Sequence, residues 1–545
     1  MSRIAKKVLL PLLCAVALCV CTFGALGLNT AAAEPSQAIL EKYDVDSWNG
    51  LKQTGKAGDG IVTAWDILKV DGYIEGVWIP WLTHTYLGSS LAPNDLEGYD
   101  NYTLSDGTVK DYWQPLGTVG FDGDYSTTQL EMEIFNLRAL GYNVLAYAGA
   151  PWGEGRINDL NTWYTTGVKQ VYLDNIRKFL DICRKVNMPV CWYMHFHSSA
   201  LPGYTNLDMW YKVAQVQGSK EGADSYAKNF VKPVAELLAE YRDVVAMVGI
   251  ADETFNEIND SDLGDKFNEG DRENYGVTQE DSMYFHAQIG QTVKSVMPDM
   301  PLTCADNADY YAMYGDAMLD MPGRNQYSSG TNPSADVEDA LATGPLLAGE
   351  YGMGGSAGQF TEGNWSSTMI GKRDAYLNAG YSGFFQWAYE PVFESGESLE
   401  PNGNQMIAPG GNTPYDLRTG VWDSYYWIES KQYELGDKTK NTTGNPAALY
   451  YCGTTVDWVG DKGTYNGKGK VYWVQPKNQT GYKVERSTDG GNTWTTVANN
   501  SGATIDSATG SHRYMITDSG APSTGSVQYR ITVNGKTSYT NVWTY

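Results

Sequence analysis

Between about residue 60 and residue 435 the chain alternates short apolar runs with longer stretches of helical periodicity. A strand followed by an amphipathic helix, repeated many times, buries both only when parallel strands lie side by side beneath a layer of helices. Eight runs read as strands: Val77–Trp81, Asn143–Tyr147, Pro189–His197, Val244–Ala251, Leu302–Ala305, Arg324–Tyr327, Leu346–Gly349 and Gly383–Trp387. Helical patterns over Leu130–Leu140, Val171–Val186, Tyr226–Tyr241 and Asp281–Val296 precede the second to fifth of these. In the third pattern Val231, Val234, Leu237 and Leu238 share one face. The repetition predicts an α/β fold, a (β/α)8 TIM barrel.

From about Gly463 to Tyr545 the character changes to Gly, Ser, Thr, Val and Tyr in short alternating runs, such as Lys470–Val474 and Tyr529–Val533. Closely spaced turn signals predict a C-terminal β-sandwich domain. Ser487–Trp494 (STDGGNTW) fits the pattern S-x-D-x-G-x-T-W of a structured hairpin turn. One copy is too few for a propeller.

At the other end, Arg3, Lys6 and Lys7 precede an apolar run and then Ala31-Ala32-Ala33, the plan of an export signal over residues 1–33. The expected organisation is signal 1–33, barrel 34–440 and sandwich 460–545, in a secreted, extracellular protein. Cys183, Cys191, Cys304 and Cys452 remain after the signal, without metal-ligand spacing, and read as buried thiols or at most one bridge. A net charge of −25 argues against nucleic acid and anionic membranes as partners.

On a barrel of this kind, reactive groups belong at the C-terminal ends of the strands. Two apolar runs lead straight into acids there. Val244–Ala251 is followed by Asp252-Glu253, and Leu346–Gly349 by Glu350. Two carboxyl groups flanking one bond are what retaining glycoside hydrolysis needs, one as nucleophile and one as acid, then base. Asn256-Glu257 is a rival position for the acid/base. No nucleophile elbow, phosphate loop or H-E-x-x-H pattern is present.

Three stretches resemble clan A glycoside hydrolases, particularly the cellulase- and mannanase-like family 5. Ala235–Glu253 (AELLAEYRDVVAMVGIADE) is similar to that clan's fourth βα unit, which ends in the acid/base Glu. Pro345–Gly352 (PLLAGEYG) is similar to its seventh strand, which ends in the nucleophile. Ala379–Tyr389 (AGYSGFFQWAY) is similar to its eighth, which ends in a sugar-lining Trp. The resemblance implies Glu253 as acid/base, Glu350 as nucleophile, Trp387 as a subsite wall and Tyr327 as the tyrosine beside the nucleophile. It also implies a β-linked carbohydrate substrate and no cofactor or metal. Asp252, His195, His197 and Trp152 join as candidate sugar contacts, with Trp81 and His84 behind them. The C-terminal part resembles a fibronectin type III or immunoglobulin-like module, and the protein is expected to be a monomer. The sequence departs from the clan twice. Asp252 stands where Asn is usual, and Ala146 stands where many members carry an Arg that holds the nucleophile. A carbohydrate-binding barrel without catalysis is the alternative these departures motivate.

Overall fold

The computed structural model describes residues 62–79, 127–148, 156–159, 164–195, 216–252, 279–305, 319–326, 345–352, 362–389, 419–440, 445–451, 469–476, 478–507 and 511–545, with Thr162, Met406 and four short strand segments. Eight parallel strands form one sheet: β1 Ile74–Trp78, β2 Val144–Ala148, β3 Val190–Tyr193, β4 Val245–Asp252, β5 Leu302–Ala305, β6 Gly323–Gln326, β7 Leu347–Tyr351 and β8 Gly383–Gln386. They pair in the order β6-β7-β8-β1-β2-β3-β4-β5. A parallel bridge between Thr303 and Met321 joins β5 to the residues just before β6 and brings the two edges together. Helices α1 Ala64–Asp71, α2 Thr127–Ala139, α3 Gln170–Val186, α4 Lys220–Tyr226, α5 Lys232–Ala239, α6 Gln279–Val296, α7 Glu362–Asn378 and α8 Thr419–Leu435 accompany it. This is the α/β barrel expected from the sequence.

Each expected strand has its counterpart: β5 matches its expected bounds, and β3 ends at Tyr193, four residues before His197. The whole of β1 is displaced, starting three residues before Val77. Two features explain it. The capping box of Thr63 and Asp66 opens α1, and Gly72, with φ 81°, closes it and turns the chain directly into the sheet. Glu75 then interrupts the apolar run, so the strand does not read as one. Its carboxylate is fully buried and paired with Arg373 of α7 at 2.7 Å. The helical run expected from Tyr226 begins at Lys220 and contains a π segment, Ala227–Val231. Pro233 follows it; its ring has no N–H and would clash with the carbonyl one turn back, so a widened turn accommodates it.

Val77, Tyr147, Trp192, Val248, Cys304, Ala348 and Phe384 belong to the apolar layer shared with the helices. The alternate residues face the barrel axis. There, rings lie over glycines of neighbouring strands. A side chain on Gly76 would meet the Phe385 ring at 2.2 Å, and one on Gly249 the Tyr193 ring at 2.3 Å.

The C-terminal domain has two antiparallel sheets. One contains β9 Ala447–Ala448, β10 Lys470–Pro476, β13 Thr504–Ser507 and β14 Ser511–Thr517. The other contains β11 Lys483–Ser487, β12 Thr495–Asn499, β15 Ser526–Val533, β16 Lys536–Tyr539 and β17 Trp543–Thr544. Trp473 and Tyr514 from the first share an apolar core with Val484, Tyr529 and Ile531 from the second. The Ser487–Trp494 segment is the β11–β12 turn, where Asp489 accepts from Thr493 at 2.6 Å and 2.9 Å and from Ser487 at 2.7 Å. The sandwich seats on the barrel through Tyr450. Its hydroxyl donates to Glu131 of α2 at 2.9 Å, and its N–H to Asn136 at 3.0 Å. Cys183, Cys191 and Cys304 are buried, and Cys452 lies outside the described residues.

Candidate active site

Glu350 is 3% exposed and Asp252 fully buried. Neither is placed by simple alternation. Along β7, Leu346, Ala348 and Tyr351 all face the helices. Ala348 pairs with Phe384 and Tyr351 with Gln386, so three steps on β7 match two on β8. The extra residue is a bulge at Gly349-Glu350, and it releases Glu350 from the helix-facing side. On β4, Gly249 pairs with Thr303 and Asp252 with Ala305, again three steps against two. Paired residues of parallel strands share a face, so Asp252 sits on the inner face with Gly249. Two local irregularities thus turn two acids toward the axis, one from the fourth strand and one from the seventh.

Tyr193 of β3 is close enough to feel the charge of both acids. Its ring packs over Gly249 and 4.5 Å from the Trp78 ring. Burial raises its phenol pKa well above the ordinary tyrosine value, helped by Cys191 and by the Asp252, Cys304 and Glu350 groups. The phenol therefore stays protonated and can donate a hydrogen bond to a neighbouring carboxylate.

Trp78 ends β1. Its indole Nε1 donates to the Gly349 carbonyl at 2.8 Å, at the bulge that presents Glu350. Ala146 is its register partner on β2 and Cys191 that of Ala146 on β3. The methyl of Ala146 leaves the interior space that the Trp78–Tyr193 pair fills. Trp387 follows β8, its ring 5.6 Å from Trp78, and its N–H donates to the Tyr351 carbonyl at 2.9 Å. The Trp387–Ala388 peptide bond is cis. From the helix side, buried Lys372 of α7 donates to the carbonyl of Gly352. Burial brings its pKa down to about 8.

The structure therefore brings together Asp252, Glu350 and Trp387 of the expected site. His195 is buried beyond β3, where its Nε2 lies 2.9 Å from Gln217 Nε2. Its ring packs against Phe285 and His286 of α6 and Tyr226 of α4, at 5.2, 6.1 and 6.2 Å. Glu253, Glu257, His197, Trp152, Tyr327, Trp81 and His84 lie outside the described residues. Sequence reasoning missed Trp78, Tyr193 and Lys372. Gly249 and Ala146 carried a signal for the first two, since small inward residues flanking β3 leave room for large ones. Lys372 gave none. Among the described residues no three His, Cys, Asp or Glu side chains cluster as a metal site.

No family model matches this chain, and no curated protein does. Solved structures do. The chain is similar to the β-mannanase from the blue mussel Mytilus edulis at 15% identity, over 53% of this chain and 88% of that one, with a TM-score of 0.37. It is similar to a GH5_18 protein from Streptomyces cattleya in complex with Manβ1-4GlcNAc, at 12% identity over 57% and 76% of the two chains, with a TM-score of 0.42. A third is the β-glycosidase from the hyperthermophile Thermosphaera aggregans, at 11% identity over 58% and 87%, with a TM-score of 0.36. The strand order of this chain, rather than these distant likenesses, carries the assignment of its barrel.

Proposed function

We propose that the protein is a secreted, monomeric, retaining glycoside hydrolase that cleaves β-linked carbohydrate without a cofactor. The observation that carries this reading is the pair of buried acids at the ends of β4 and β7, each turned inward by a bulge. In this reading Glu350 attacks the anomeric carbon as the glycosidic C–O bond breaks. Glu253, the residue after Asp252, gives its proton to the departing oxygen. Water then attacks the glycosyl–Glu350 ester, Glu253 takes its proton, and the free carboxylate returns. Asp252 accepts a hydrogen bond from a sugar hydroxyl. Trp387 offers an apolar ring to the sugar face. Tyr327, His195, His197 and Trp152 complete the proposed contacts.

The assay uses p-nitrophenyl β-glucoside, β-mannoside, β-galactoside and β-xyloside with wild type, Glu253→Ala and Glu350→Ala. Loss of the acid/base should lower kcat about 10²- to 10⁴-fold by removing the base that activates water against the glycosyl-enzyme, since p-nitrophenolate departs with little protonation. Loss of the nucleophile should abolish turnover. Hydrolysis unchanged by both substitutions would remove the assignment. A non-catalytic carbohydrate-binding barrel is the second reading, favoured by Ala146 in β2 and by the charge that Asp252 places beside Glu253. It predicts glycan binding by calorimetry with no turnover of any of the four substrates.

A further inference from the structure

We propose that Trp78 is the residue that positions Glu350, holding the bulge from inside the barrel. This rests on Glu350 being the nucleophile. A bulge interrupts the ladder, so a main-chain group within it needs a partner from elsewhere. For the Gly349 carbonyl that partner is the Trp78 indole, donating at 2.8 Å. The indole comes from β1, with β8 standing between it and β7 in the sheet.

The donor is itself immobilised. Trp78 is fully buried, its ring 4.5 Å from Tyr193 and 5.6 Å from Trp387. Behind it, Ala146 gives the space an arginine or any other long side chain would occupy. The acceptor is confined as well. A Cβ on Gly349 would lie 2.7 Å from the Ala305 Cα of β5, so the bulge is pressed against the strand beyond β6. Beyond Glu350, Lys372 grips the Gly352 carbonyl. The backbone is thus held on both sides of the nucleophile, one residue before it and two residues after. Trp78 acts on the carboxylate only through this backbone. Its role is geometric, and misplacing a reacting atom by about 1 Å can cost on the order of 10²-fold in rate.

The test replaces Trp78 in the full chain in two ways. Trp78→Phe removes the donor and part of the ring. Incorporation of 3-benzothienylalanine at position 78 keeps the bicyclic shape and removes only the N–H, so it reports even if the Phe variant folds poorly. Each is assayed on whichever of the four aryl β-glycosides wild type hydrolyses fastest. The expected result for the benzothienyl protein is kcat lower by at least about tenfold, with KM within about twofold and Tm within a few degrees of wild type. A kcat within about twofold of wild type, or a loss carried wholly by KM, overturns the proposal. Glu350→Gln is run alongside. If it retains wild-type activity, the nucleophile assignment has failed. If it is inactive while the benzothienyl protein is fully active, only the positioning role has failed.

Discussion

Gly349 shows how little freedom the residue beside Glu350 has. An added methyl would approach Ala305 Cα at 2.7 Å and its Cβ at 2.8 Å, both closer than real contacts allow. Neither atom sits at the end of a flexible side chain, so backbone must move. Gly349→Ala should therefore cost about 1–3 kcal/mol, as overpacking of an interior does, and lower Tm. It should also reduce kcat; full activity with a lowered Tm would show that Glu350 does not depend on the bulge. Lys372 offers a pH test. Its folded-state pKa is near 8, below the 10.5 of an ordinary lysine. Below pH 8 both folded and unfolded chains carry the charge, and the folded state bears the whole cost of burying it. Between 8 and 10.5 the unfolded chain binds the proton more tightly, so stability contributed at this site rises with pH and the cost is gone above that window. The stability of wild type relative to Lys372→Met should climb from pH 8 to pH 10.5 in urea titrations. Parallel curves would contradict the buried charge. At this scale the sequence was informative where chemistry and position coincide. Glu350 and Asp252 were legible because each abuts an apolar run. Trp78 was not, since an aromatic residue in a strand has the same signature whether it fills a core or donates to a carbonyl.

The elements are joined by a polar network as well as by apolar burial. Arg373 of α7 contacts Glu75 of β1 at 2.7 Å, Ser424 of α8 at 3.1 Å, Gln386 of β8 at 3.1 Å and Tyr142, before β2, at 3.3 Å. Burial raises the Glu75 carboxyl pKa, while Arg373 opposes that rise. Removing one partner leaves the other charge buried alone. Glu75→Gln should cost about 3–5 kcal/mol, and the Glu75→Gln/Arg373→Met double variant clearly less than the sum of the two single losses. Additive losses in chemical denaturation would show that the pair is not coupled. This network also explains the displaced start of β1 in the element reading. A charged residue in the middle of β1 breaks the apolar run from which a strand is recognised. Six of the other strands kept apolar signatures or nearly so, whereas β6, Gly-Arg-Asn-Gln, carried almost none; all seven were found within a few residues of their ends. The bulges in β4 and β7 were invisible, because a bulge is a difference in step between two strands and neither strand records it alone.

Across the whole molecule, the repeated strand–helix alternation led to the barrel, and the change in composition after residue 463 led to the sandwich. How the two meet could not be read, since it depends on side chains distant in sequence. Tyr450 stacks edge-on against Phe135 of α2 at 5.6 Å, and Arg513 of β14 lies 5.2 Å over Trp422 of α8. A continuous apolar layer runs from the barrel helices through Leu449 and Tyr450 to Tyr472 and Val474. The sandwich is thus packed on the helical flank by α2 and α8. The chemistry is assigned to the other feature of the barrel, the strand ends, and there the account turns on one bond. If Glu350 is the nucleophile, a 2-deoxy-2-fluoro aryl β-glycoside of the preferred sugar should inactivate the enzyme and leave one glycosyl unit attached. Mass spectrometry of the digested protein should place that unit on Glu350. Turnover of the parent substrate with no adduct, or an adduct on any other residue, would contradict the account.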